Sequence, residues 1–80
     1  MKLRILIVED DPMVAHIHKH YLNELKNFEI VEVIDNGYDA YLYIQKNSSR
    51  IDLVILDVHM PKLSGLEMLK LLREEGNDIS

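Results

Sequence analysis

The residues of this chain best placed to do chemistry are Glu9, Asp10 and Asp57, because they stand where apolar runs stop. Leu3 to Val8 gives way to Glu9-Asp10-Asp11, and Ile51 to Leu56 gives way to Asp57. In a parallel sheet, ligands collect at the carboxyl ends of the strands. If the two runs are neighbouring strands, three carboxylates converge at that edge. Like charges a few ångströms apart repel, and at neutral pH they need a cation or a raised pKa. Mg²⁺ meets that need, since it prefers oxygen ligands and keeps waters that a phosphate can displace. Such a metal would shield an incoming phosphoryl group from the acids and leave Asp57 as a nucleophile able to form an acyl phosphate. A lone Asp at a strand end is ordinarily a turn or cap residue. Two acidic strand ends in one sheet are what point to a cation site.

The elements that must position these acids follow from periodicity. Leu3 to Val8 is nearly unbroken Leu, Ile and Val apart from Arg4, as in a strand covered on both faces of a parallel sheet. Asp11 can cap a helix and Pro12 fits its first turn. Val14, Ile17, Tyr21, Leu22 and Leu25 recur at helical spacing, which predicts a buried face on a helix ending near Asn27. Phe28 to Ile34 reads as a second strand, and Glu29 and Glu32 mark it as a half-exposed edge. Asp35-Asn36-Gly37 turns the chain, Asn36 and Asp39 start a second helix, and Asn47-Ser48-Ser49 closes it. Tyr38, Tyr41, Leu42 and Ile44 are its expected buried side. Ile51 to Leu56 is a third strand. Ser64 and Glu67 have capping-box spacing, Leu66, Leu69 and Leu72 form the expected stripe, and Gly76 ends the third helix. The order β-α-β-α-β-α with short connections predicts a right-handed, parallel α/β layer.

Composition narrows the function classes. Eighty residues make one small domain, and 48% apolar residues suffice for a packed core. The absence of cysteine rules out disulfides and thiolate metal sites within the chain, and fits a reducing cytoplasm. The longest apolar run is far too short to span a membrane. With a net charge of −5 and nine scattered Lys and Arg residues, the chain lacks the basic face of a nucleic-acid reader. His16, His18 and His20 alternate along the first helix, where a solvated face is their ordinary reading, although His16 and His20 are one turn apart.

The stretches Leu6-Ile7-Val8-Glu9-Asp10-Asp11-Pro12, Leu56-Asp57-Val58-His59-Met60-Pro61 and Ser64-Gly65-Leu66-Glu67 together resemble the receiver domain of two-component response regulators. The resemblance runs in register through all 80 residues. It implies a flavodoxin-like fold, with this chain supplying the N-terminal part of the domain over 1–80, its strands in the order 2-1-3. It further implies that Asp57 is the phosphoacceptor, that Asp10 ligates Mg²⁺ directly and Glu9 mainly through water, and that the His59 backbone carbonyl completes the protein's ligands. Met60-Pro61 would shape the loop and Gly65 would permit its tight path. The partner implied is a sensor histidine kinase, with a small acyl phosphate as an alternative donor. Val8 to Leu22 is similar to regulators that respond to citrate and other dicarboxylates, which carry a separate DNA-binding domain.

The family's sheet has five strands in the order 2-1-3-4-5. This chain departs from that pattern after the third helix. It offers no residue for the Ser or Thr that ends the family's fourth strand or the Lys that ends its fifth. In the order 2-1-3, the third strand becomes an open, apolar edge that invites self-association. Two rival readings share these residues. One is a Mg²⁺-dependent phosphatase with a strand-end Asp nucleophile; its general acid would belong at position 59, where this chain has His59. The other is a non-phosphorylated interaction or dimerisation module on the same fold.

Overall fold

The computed structural model describes residues 2–57, 64–77 and 79. The chain runs through β1 (Leu3–Val8), α1 (Pro12–Asn23), β2 (Phe28–Ile34), α2 (Gly37–Asn47), a 3-10 turn at Ser48–Arg50, β3 (Leu53–Leu56) and α3 (Gly65–Glu74). The strands form one parallel sheet in the order β2-β1-β3. As the apolar run required, β1 is the central strand, and Ile5 through Val8 are fully buried. Leu6 and Val8 share a core with Ala40 and Ile44 of α2, Met68 and Leu72 of α3, and Ile51. Ile5 and Ile7 alternate onto the opposite face, where α1 lies against β1 and β2. Helices thus cover both faces of the sheet.

Glu29 and Glu32 both face outward although they are three residues apart, which strict alternation forbids. A register shift resolves this. Ile5 pairs with Ile30 while Leu6 pairs with Glu32, so Val31 is an extra residue in β2 and packs against the core instead.

All three helices begin as the sequence requires. The Asp11 side chain accepts from the Met13 N–H at 2.9 Å, with Pro12 in the first turn. The Asn36 side chain accepts from the Asp39 N–H at 2.8 Å. Ser64 and Glu67 form the reciprocal capping box. The end of α3 is a Schellman motif. Gly76 takes φ +80°, its N–H bonds to the Arg73 carbonyl at 3.0 Å, and the Asn77 N–H bonds to the Leu72 carbonyl at 2.9 Å.

The buried faces are less regular than the spacing predicted. In α3 they are Gly65, Met68 and Leu72; Leu69 is half-buried, and Leu66 is 62% exposed. In α2 the buried residues are Gly37, Ala40 and Ile44, with Tyr41 half-buried and Tyr38 and Leu42 exposed. Small and large residues share the buried faces: Gly37 and Ala40 with Ile44 on α2, and Gly65 with Met68 and Leu72 on α3. α1 stops at Asn23, four residues before Asn27, where the Glu24 N–H turns back to the Leu22 and Tyr21 carbonyls. Its sheet-facing residues are Ala15, Val14, His18 and Leu22, whereas Ile17 and Tyr21 are 56% and 68% exposed. The cause lies in where α1 sits. Pro12, Ala15, His16 and Lys19 line a groove toward β2, so the helical repeat turns Ile17 and Tyr21 away from that strand.

β3 is shorter than expected, because Asp52 is taken out of the strand by Arg4. The Arg4 guanidinium holds Asp52 through Nε (3.0 Å to Oδ2) and Nη2 (3.1 Å to Oδ1), and the Arg4 backbone N–H donates to Oδ2 at 2.8 Å. In return, the Asp52 N–H donates to the Arg4 carbonyl at 2.8 Å. The Arg4 hydrogen bonds, side chain first, lower the Asp52 pKa to about 2.

Two predictions follow from these placements. Leu72→Ala should cost about 2–5 kcal/mol in urea unfolding, while Leu66→Ala should stay within about 0.5 kcal/mol, which tests the face assigned to α3. The second concerns pH. The folded-state pKa of Asp52 is below its ordinary 3.8, so its stabilisation is fully present above that value and is lost as pH falls through about 2. Asp52→Asn should therefore destabilise the domain at neutral pH, and its deficit relative to wild type should vanish across that acid window.

Candidate functional site

The carboxyl ends of β1 and β3 hold the site, and two backbone hydrogen bonds set its geometry. Past the last residue of β1, the Glu9 N–H donates to the Ile34 carbonyl of β2 at 2.9 Å. Past the last residue of β3, the Asp57 N–H donates to the Val8 carbonyl at 3.0 Å. The ladders therefore continue into the acids. Val8 pairs with Leu56, so Glu9 and Asp57 stand opposite one another one step further on. Carboxylate oxygens of Glu9, Asp10 and Asp57 all lie within 4.8 Å of one another.

These three acids sit in different environments. Glu9 is buried, 8% exposed, while Asp57 is half-buried and Asp10 is exposed. The Glu9 carboxylate accepts from the Asp11 N–H at 3.3 Å, which favours its charged form. Burial outweighs that bond and, with the neighbouring Asp57 and Asp10, raises the Glu9 pKa. A buried acid facing two further acids is the situation a divalent cation relieves. The donors are all oxygen, which suits a hard ion such as Mg²⁺ rather than a metal that prefers sulfur or imidazole.

The sequence-predicted residues Glu9, Asp10 and Asp57 are thus brought together. His59, whose carbonyl was expected among the ligands, lies outside the described residues, as do Met60 and Pro61. Gly65 is buried as the first residue of α3. An open groove of about 740 Å³ leads away from Glu9 and Asp10, with His16 and Lys19 of α1 on one wall and Asp35 and Asp39 on the other. Sequence reading placed His16 on a solvated face; it is exposed, yet it borders the groove. The signal was its position one turn beyond the Asp11-Pro12 cap. His20 is exposed and lies 3.3 Å from Glu24.

Known proteins carry the same arrangement of chain. Residues 5–80 match the family described as Response regulator receiver domain. The transcriptional regulatory protein MalR of Bacillus subtilis is 38% identical over 77 residues, covering 96% of this chain and 32% of that protein. The transcriptional regulatory protein CitT of Halalkalibacterium halodurans is 34% identical over 76 residues, covering 95% of this chain and 33% of that protein. A solved structure of a mutant response regulator, MaeR, bound to sulfate superposes with a TM-score of 0.84 at 32% identity, over 100% of this chain and 64% of that one. The chain spans about a third of the length of these curated relatives. On the match that begins in β1 and runs through all three strands, the chain belongs to the response regulator receiver domain family.

Proposed function

We propose that this receiver is a phosphoacceptor switch in which Asp57 takes a phosphoryl group from a sensor histidine kinase. One observation carries the reading: three carboxylates lie within 4.8 Å of one another at adjoining strand ends. An Asp57 oxygen attacks the phosphorus of a phosphohistidine, the phosphorus–nitrogen bond breaks, and its electron pair returns to the imidazole. The product is an acyl phosphate on Asp57. Glu9, Asp10 and Asp57, with the His59 carbonyl, would hold Mg²⁺, which offsets the charge of the acids and of the arriving phosphoryl oxygens.

The module signals rather than turns over a metabolite. Residues 1–80 form the N-terminal part of a receiver domain, and the output is transcriptional, as the names of MalR and CitT say of those proteins. The resemblance to CitT supports a regulator of the citrate and dicarboxylate group. No described helix is long and apolar enough to cross a membrane. The net charge of −5 supports a segment that does not touch nucleic acid itself, and the family match supports a cytoplasmic regulator. Among the described residues β3 pairs only with β1, which leaves self-association through its other edge as a further arrangement to test.

The test is intact mass after incubation with Mg²⁺ and a small acyl-phosphate donor, beside calorimetric Mg²⁺ titration. Wild type should gain one phosphoryl group and Asp57→Asn none. Glu9→Gln and Asp10→Asn should each weaken Mg²⁺ binding by about tenfold or more. If residues 1–80 bind Mg²⁺ but gain no phosphoryl group, and a longer chain carrying the family's fourth and fifth strands gains none either, the switch is overturned and the interaction module is left.

A further inference from the structure

The ion pair at one end of the sheet and the acid pair at the other share a single offset. Arg4 and Asp52 are 48 residues apart, and the β1–β3 register pairs Ile5 with Leu53 through Val8 with Leu56 at that same spacing. One step before that ladder stand Arg4 and Asp52, and one step after it stand Glu9 and Asp57. We infer that Arg4 and Asp52 are positioning residues, which fix the β1–β3 register and so place Asp57 opposite Glu9.

The apolar side chains of β3 cannot do this alone. A slip of one residue would turn every side chain to the other face, and burial forbids it. A slip of two keeps the faces. Within the strand it exchanges Leu53 for Ile55 and Val54 for Leu56, while at the ends it shifts the buried Ile51 and carries Asp52 or Asp57 into the ladder. The exchanges within the strand conserve size and hydrophobicity, so the packing of β3 itself scarcely opposes them. Resistance must come from Ile51 and the charged residues that flank the strand. The slip would nevertheless carry Asp57 about 6.6 Å along the strand, beyond reach of Glu9. β3 is four residues long and pairs only with β1 among the described residues, so few ladder bonds resist it.

Asp52 removes the ambiguity. Its carboxylate accepts the Arg4 backbone N–H at 2.8 Å and both Nε and Nη2 of the side chain, while its own N–H reaches the Arg4 carbonyl. That set can form at only one register, because no other residue from Ile51 to Leu56 is charged. Arg4 Nη2 also reaches the Ser49 carbonyl at 3.3 Å, which ties the turn before β3 to the same point.

The experiment is amide hydrogen exchange on Asp52→Ala, Asp52→Asn and Arg4→Ala, at a temperature where circular dichroism shows each folded. The Asp57 amide belongs to the β1–β3 ladder, and the Glu9 amide belongs to the β1–β2 ladder. Asp57 should exchange at least about tenfold faster in Asp52→Ala while Glu9 changes less than about twofold, with Asp52→Asn between. A core variant of matched stability, Ile44→Val, should move both amides together. Equal acceleration of the two amides in Asp52→Ala and Arg4→Ala would reduce the pair to general stabilisation and overturn the inference. A Mg²⁺ titration forms a second arm, which rests on the proposed metal site. Wild type that fails to bind Mg²⁺ defeats that site and leaves the exchange result to decide the register. Wild type and folded Asp52→Ala binding Mg²⁺ equally would defeat the positioning role.

Discussion

Everything in this domain depends on β1 being buried on both faces and bonded on both edges. Ile5, Leu6 and Ile7 expose nothing, so the strand can occupy only the middle of the sheet. Its two edges then fix β2 and β3, and its carboxyl end becomes the point where both ladders finish. Glu9 is the next residue. It is bonded through its N–H to β2, and its preceding carbonyl is bonded to Asp57 beyond β3. The site is therefore an extension of the sheet by one residue on each side. A strand supplies such precision because its side chains have fixed directions, which a loop of the same composition would not give.

The two layers over that sheet are unequal. α2 and α3 pack together over Leu6 and Val8 and close one face. On the other, α1 lies over β1 and β2, leaving Ile17 and Tyr21 exposed on the helix and Leu53 at 36% exposure on β3. β1 is sealed on this side as well, with Ile5 and Ile7 fully buried on the face where α1 lies. The acids gain from that closure. Burial of Glu9 comes from the packed region around β1, while Asp10 stays in solvent at the head of α1.

The sequence made the site more legible than the helix faces, and the reason is physical. An apolar run ended by an acid encodes both a strand and where it stops, so Glu9, Asp10 and Asp57 could be placed together from two runs. Caps are equally local. Asp11, Asn36, Ser64 with Glu67, and Gly76 each act on backbone groups within a few residues, and each does what its type and spacing predict. Which face of a helix is buried is not local. Leu66, Tyr38 and Tyr21 are apolar or aromatic at helical spacing, yet Gly65 with Met68, Ala40 with Ile44, and Ala15 occupy the buried faces, because the orientation of each helix is set by what it packs against. The bulge at Val31 was hidden for a related reason. It shows only as two outward glutamates out of phase, and that becomes a signal once the strand's partner is known.

Asp52 and Glu9 show how one chemistry serves opposite ends of the same strand pair. Both are carboxylates beside β1, but their pKa values move in opposite directions. Asp52 meets a guanidinium and backbone N–H groups, so its charge is held and its position with it. Glu9 is buried beside two more acids, and its charge is disfavoured until a positive partner arrives. The first arrangement stabilises the strand pair as it stands. The second leaves electrostatic free energy to be recovered by whatever cation enters. Because one register brings both pairs together, the residue whose charge is held at one end also defines where like charges meet at the other.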